Sequence, residues 1–182
     1  MTAAFETRHR SRQLESGDGK LQCLPPGGAT MDPSWIPDEL FAEFVATMPQ
    51  VCVEVFLEHD DGVLVGKRAN EPAKGEWFWP GGRLYKGERL EAAPHRVAAE
   101  ELGVEIDVVG QLGVYEHFWE SSPVCGSPSR HTVNVVYRAG FAEADWRIEL
   151  DDQHDDVRFV DSIEPGLHEY VQHYLRDSGV VE

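Results

Sequence analysis

The stretch that most constrains this chain is residues 77–104, WFWPGGRLYKGERLEAAPHRVAAEELGV, which sets a short aromatic strand, a glycine-tight loop and an acidic helix in immediate succession. Gly81 and Gly82 let the backbone approach a ligand or turn a carbonyl inward, because no Cβ intervenes. The helix carries Glu88, Arg96, Glu100 and Glu101, and residues four apart share one of its faces. Strand, loop and helix in this order make a place to hold a metal and a diphosphate. Pro94 interrupts the pattern, since a proline inside a helix costs about 3 kcal/mol. Either the regular helix begins close to Pro94 or it is kinked there, which disturbs the surroundings of Glu88 more than those of Glu101.

The remaining sequence supplies one domain around this stretch. Residues 1–33 are rich in Ser, Gly, Pro and charge, lack periodicity and read as a flexible N-terminal tail; Met31, near its end, is a second candidate start. The domain then runs over residues 34–182. Residues 33–48 place Leu40, Phe41, Phe44, Val45 and Met48 on one side of a short helix, with Ser34 or Asp32 as its cap. Residues 51–58 and 63–68 alternate as two strands around the turn His59-Asp60-Asp61-Gly62. Glu54 is unusual in so apolar a strand, and faces either solvent or a site. Strands are further expected at 105–119, with an irregularity near Gly110–Gly113, at 131–141 and at 157–160. Residues 120–130 form a loop that could overhang a site, and 163–176 a last amphipathic helix. Strands mixed with two or three helices, without regular alternation, predict an α/β sandwich.

Composition excludes several functions. A formal net charge of −17 is wrong for general nucleic-acid binding, which requires a basic surface. Of 16 basic residues only Lys20, Lys67, Lys74 and Lys86 are lysines, and acidic residues are spread throughout, a balance expected of a surface adapted to high salt or merely of an acidic mesophilic enzyme. Cys23, Cys52 and Cys125 show no paired spacing, so neither a disulfide framework nor a zinc site is expected. No run is long and apolar enough to span a bilayer, and the first thirty residues lack the apolar centre of a secretory signal, which gives a cytoplasmic expectation.

With Gly82, Glu88, Arg96, Glu100, Glu101, Gly103 and Val104 at fixed spacing, the central stretch resembles the Nudix box. The glutamate that the box has directly after its arginine is here Val97. That departure, with PGGR at 80–83 and QHDD at 153–156, is similar to the GDP-mannose mannosyl hydrolase branch of the Nudix hydrolases. The resemblance implies an α/β/α sandwich with a mixed sheet, and a Mg2+ ion, with Mn2+ as an alternative, held by Gly81, Glu101 and Gln153. It gives His154 the role of general base and Arg68 that of a catalytic contact to the leaving diphosphate. Arg83 is then a second diphosphate contact, and Glu54 and His117 are substrate contacts or an ordinary charge and core group. Trp35 and Phe41 match aromatics that stack on the guanine and help form a homodimer. Glu100 serves a second metal or only pairs with Arg96. Asp152, Asp155 and Asp156 orient His154 or merely solvate it.

The activity so implied is hydrolysis of a nucleotide sugar, GDP-mannose or GDP-glucose, to GDP and free sugar. Water attacks the anomeric carbon with inversion, and a histidine suits this proton abstraction near neutrality. The competing expectations are a pyrophosphohydrolase that cuts P–O–P in a nucleotide sugar and a silent nucleotide-sugar binding module.

Overall fold

The computed structural model describes residues 35–122 and 129–180, so the expected tail and the Ser34 and Asp32 caps lie outside the described residues, as does part of the 120–130 loop. Helix α1 spans Asp38–Thr47, followed by strands β1 (Gln50–His59), β2 (Gly62–Arg68), β3 (Trp77–Phe78) and β4 (Gly81–Arg83). Helix α2 (Ala93–Leu102), strands β5 (Ile106–Trp119), β6 (Arg130–Phe141) and β7 (His154–Val160), and helix α3 (Glu169–Ser178) complete the order.

The strands form one mixed sheet in the order β3-β2-β1-β6-β5, with β4 also on β1 and β7 on β2. β1 runs parallel to β6 from Gln50 to Glu58, while it matches β2 only beside their turn, at Glu58↔Val63 and His59↔Gly62. The two strands then fork, and residues 77–83 fill the gap. β3 pairs with β2 at Gly66 and Lys67, and β4 pairs with β1 at Cys52, Val53 and Glu54. Gly81 is thereby set opposite Glu54.

Alternation along β1 explains the layers. Val55 and Leu57 pack with Leu64, Val97, Ala98, Leu102 and Ala139 under α2. Phe56, on the other face, packs with Val65, Trp79, Val136 and the α3 residues Val171, Tyr174 and Leu175. Burying each such aliphatic or aromatic side chain contributes about 1.5–3 kcal/mol, so the two helices are held to opposite faces of the sheet.

The elements depart from expectation where local chemistry differs from periodicity. The glycine segment is not all loop, because Gly81–Arg83 is itself a strand and the turn follows it. Pro94 is the second residue of α2, where a missing donor costs nothing, so the helix starts there and is not kinked. In α1 only Val45 is buried, while Leu40, Phe44 and Met48 are exposed, and Pro37 stands at the cap. β7 begins three residues early, which draws His154, Asp155 and Asp156 out of the expected acidic loop and into the sheet. α3 starts at Glu169, after the helix-breaking pair Pro165-Gly166 and under a cap in which the Tyr170 amide donates to His168. The irregularities of β5 fall between Val108 and Gly110 and between Gln111 and Gly113, as its glycines led one to expect.

Candidate active site

A cleft of about 140 Å³ opens on the α3 side of the sheet where β1 and β6 begin. Even-numbered residues of both strands face it: Cys52 and Glu54 from β1, Arg130, Thr132 and Asn134 from β6. β5 adds His117 and Trp119; the fork adds Gly81, Gly82 and Arg83; Arg68 and Gln153 close the other side. The start of this sheet face is polar, whereas Phe56 and Val136 further along are core.

Glu101, from the last turn of α2, is 4% exposed. The Gly81 amide donates to its Oε2 at 2.9 Å, and the Gln153 amide nitrogen lies 3.5 Å from its Oε1. Burial, with Asp151 adding to it, pushes this carboxyl up to about 8. The positions align only because β4 has no side chain at Gly81, where a Cβ would stand 2.7 Å from Glu54 Cγ.

His154 is the first residue of β7, and a Cβ on the neighbouring Gly66 would collide with its ring. Its Nδ1 lies 3.0 Å from Asp151 Oδ1, and since a carboxylate only accepts, Nδ1 carries the hydrogen. Nε2 is then a bare lone pair, buried, without a hydrogen-bond partner and 3.9 Å from Glu101 Oε2. Burial lowers the pKa of His154, so the ring is a neutral imidazole. Gln153 lines the cleft, whereas the His154 ring is not itself among the cleft-lining residues. The orienting carboxylate is thus Asp151, not the expected Asp152, Asp155 or Asp156; the first acid of LDDQHDD was the available signal.

Glu54 faces the cleft and not solvent, and burial pushes it up to about 7. His117 is buried beside it, with Nε2 at 2.8 Å from the Tyr174 hydroxyl, its ring stacked 4.0 Å from Tyr170, and Nδ1 at 3.9 Å from Glu54 Oε1. Burial lowers His117 to about 3, so it is neutral. Glu54 Oε2 and His117 Nδ1 have no hydrogen-bond partner. Tyr174, whose hydroxyl meets His117, was not foreseen because nothing in an amphipathic helix separates such a tyrosine from core.

Arg68 donates from Nε to the Pro72 carbonyl at 2.6 Å and from Nη2 to Asn70 Oδ1 at 3.1 Å, which fixes its fork at the cleft wall. Arg83 lies between this cleft and an apolar groove lined by Phe41, Phe44, Leu84 and Tyr85, its guanidinium 5.8 Å from the Phe41 ring centre and 5.2 Å from that of Tyr85. Trp35 is 61% exposed and lines neither space.

Arg96 ties the rest of the central stretch together. Arg96 donates to both Glu88 oxygens at 2.6 and 3.0 Å, to Glu100 at 2.9 Å and to the Arg83 carbonyl at 3.0 Å, with its guanidinium 3.8 Å from the Tyr85 ring centre. Glu88 also accepts from the Tyr85 amide, so it fastens the turn in spite of Pro94. Glu100 pairs with Arg96 at 2.9 Å. Val97 is core, 3.7 Å from where a Gly82 Cβ would be.

Among the described residues no three His, Cys, Asp or Glu side chains converge as a metal cluster. A cation here would take one carboxylate and neutral oxygens. Glu101 and the amide oxygen of Gln153 supply such donors, which suit a hard divalent ion. Glu101 moreover has only neutral His154 at ion-pair distance among the described residues, so an ion would supply the charge it lacks.

A mixed sheet between helices, with a buried glutamate from a helix set against a glycine strand beside an arginine-walled cleft, is the arrangement of a Nudix-type α/β fold. The chain belongs to the Nudix family: the NUDIX domain model matches residues 48–176. It is 42% identical over 140 residues to the low-salt glycan biosynthesis protein Agl8 of Haloferax volcanii, covering 77% of this chain and 88% of that one. It is 38% identical over 89 residues to an ADP-ribose pyrophosphatase of Methanocaldococcus jannaschii, covering 49% of each. Among solved structures, a MutT NUDIX hydrolase from Burkholderia pseudomallei matches with a TM-score of 0.58 at 26% identity, over 71% of this chain and 98% of that one. Among the described residues no helix is long and apolar enough to cross a membrane.

Proposed function

We propose that this Nudix hydrolase cleaves a GDP-sugar, GDP-mannose or GDP-glucose, to GDP and free sugar by inverting attack of water on the anomeric carbon. The observation that carries the reading is the division of the box carboxylates. Glu88 and Glu100 are engaged by Arg96, which leaves Glu101, against Gly81 and Gln153 beside the cleft, as the box glutamate without an arginine at ion-pair distance among the described residues. Attack on phosphorus gains from several carboxylates gathered around the phosphates; attack on carbon needs only that the leaving diphosphate be held.

Glu101, Gln153 and Gly81 would hold Mg2+, or Mn2+, which when bound spreads the charge of the diphosphate. Arg68 and Arg83 bind its oxygens in their planar forks. His154, neutral and fixed by Asp151 with Nε2 bare, accepts the proton of the attacking water. Glu54 and His117 contact the sugar, and their unpartnered atoms find hydrogen bonds there. Phe41, beside Arg83, receives the base; Trp35 extends from the same segment and joins it in a homodimer contact. The similarity to Agl8, a glycan biosynthesis protein, favours a sugar-bearing substrate. The acidic, lysine-poor surface is read as an adaptation to high salt, so thermal stability should rise from low to molar KCl.

The second reading, cleavage of P–O–P, is favoured by the similarity to an ADP-ribose pyrophosphatase. Turnover of GDP-mannose with Mg2+ in 18O-water separates the two. Label on the sugar supports attack at carbon; label on GMP or sugar phosphate supports attack at phosphorus; no product leaves a binding module. His154→Ala should lose most turnover while Mg2+ binding persists, and unaltered turnover removes that residue from the base role.

A further inference from the structure

The first residue of β6 has no assigned role, although its side chain enters the same cleft. Arg130 donates from Nε to Gln50 Oε1 at 2.7 Å, and its Nη2 lies 3.8 Å from Cys52 Sγ. Gln50 is itself buried, so this contact sets the plane of the guanidinium and leaves much of its donor edge to the cleft. Arg96, Arg138 and Arg158 each meet a carboxylate at 2.6 to 2.9 Å. Among the described residues, neither Arg130 nor Arg68 has a carboxylate at ion-pair distance, in a chain with 33 acidic residues. Burial lowers the pKa of Arg68, and Arg130 across the cleft adds to that, while the carboxyls of Glu101, Glu54 and Glu71 pull the other way without reaching ion-pair distance. Glu54 lines the same cavity, but among the described residues it is at ion-pair distance from neither guanidinium and burial holds it up at about 7, so the two like charges leave a place for an anion between them.

We propose that Arg130 is a substrate-binding residue that grips the diphosphate opposite Arg68, so that the anion is bound from the start of β6 as well as from the end of β2. The proposal deepens the nucleotide-sugar reading and rests on it for the identity of the anion. It does not rest on which bond is broken. Gln50 is a positioning residue, acting only through the Arg130 Nε contact.

Inorganic pyrophosphate with Mg2+ is the probe, since it carries the anion without sugar or base. Titration calorimetry should find affinity lowered about tenfold or more in Arg130→Gln and by less in Arg130→Lys, which keeps charge but loses the fork. Arg138→Gln, which removes an equal charge from the Glu58 pair at the far end of β6, should change affinity by less than about twofold. A second measurement uses the unmodified protein. Phenylglyoxal modification, followed by peptide mass spectrometry, should reach Arg130 more slowly when Mg2+-pyrophosphate is present. Equal affinity in a folded Arg130→Gln, or an Arg130 modification rate indifferent to pyrophosphate, overturns the proposal. If pyrophosphate binds through Arg130 while GDP-mannose and GDP-glucose are not hydrolysed, the anion site stands and the substrate reading falls.

Discussion

Two glutamates of one short stretch, Glu88 and Glu101, have opposite fates. Glu88 receives both forks of Arg96 and the Tyr85 amide, and these hydrogen bonds, Arg96 first, hold its carboxyl below the ordinary range. Glu101 sits thirteen residues later on the same segment with a single backbone donor and a neutral histidine, and burial holds it up at about 8. A carboxylate paired with an arginine fastens structure; a buried acid that is hydrogen-bonded only by neutral groups leaves a charge for a cation to balance. The difference teaches that the stretch has a mechanical half and a chemical half, which substitution should separate.

The largest effect falls on the chemical half. With Glu101 as the proposed ligand, Glu101→Gln keeps shape and removes its charge, so turnover of the proposed GDP-sugar should fall about a thousandfold, roughly 4 kcal/mol of barrier. The melting temperature should hold or rise, because a costly buried acid has gone. If Glu101→Gln instead unfolds the protein with activity per folded molecule intact, the two halves have been assigned the wrong way round.

Arg96→Ala is the mirror experiment. It strands Glu88, whose side chain is 13% exposed, and frees the turn at Tyr85, so the urea midpoint should report a loss of about 3 kcal/mol. Turnover at low temperature, where the variant stays folded, should fall far less than in Glu101→Gln. A variant as stable as the parent would mean that the Glu88–Arg96 pair fastens nothing.

How far this contrast was legible in sequence depends on what fixes each side chain. The alternation of 51–58 and the spacing of Arg96 and Glu100 carry their geometry in the covalent chain, and the structure has the strand and the pair where they were expected. His154 in a strand, Asp151 as its partner and Tyr174 behind His117 depend on β7 pairing with β2 and on α3 crossing β5. Those contacts join residues more than fifty positions apart or hinge on where a strand starts, and no local period encodes them. Pro94 was ambiguous for the same reason: only the start of α2 decides whether it kinks a helix or opens one.

A smaller effect comes from pH. Glu54 and Glu101 titrate at about 7 and 8 in the fold against 4.5 outside it, so the fold is favoured while they are protonated. Stability from these groups is full below about pH 4.5 and is lost as pH rises through 7 and 8. Metal-free protein should therefore melt at lower temperature at pH 8.5 than at pH 5.5, and Glu101→Gln should flatten the slope. A cation binds the ionised form, so added Mg2+ should raise the melting temperature more at the higher pH. A stabilisation by Mg2+ that is the same at both pH values would detach the raised carboxyl from the metal.

The smallest effect tests the boundary between the halves. Glu100 is adjacent to Glu101 in the chain, yet its side chain is 52% exposed and bonded to Arg96 four residues before it. An exposed pair of this spacing contributes only about 0.3–0.5 kcal/mol, and Arg96 keeps Glu88 when it is lost. Glu100→Gln should thus change stability by less than about 0.5 kcal/mol and turnover by less than about threefold. A hundredfold loss of turnover with unchanged stability would place Glu100 among the metal ligands. It would move the boundary one residue toward the helix start and return the phosphorus-attacking chemistry to first place.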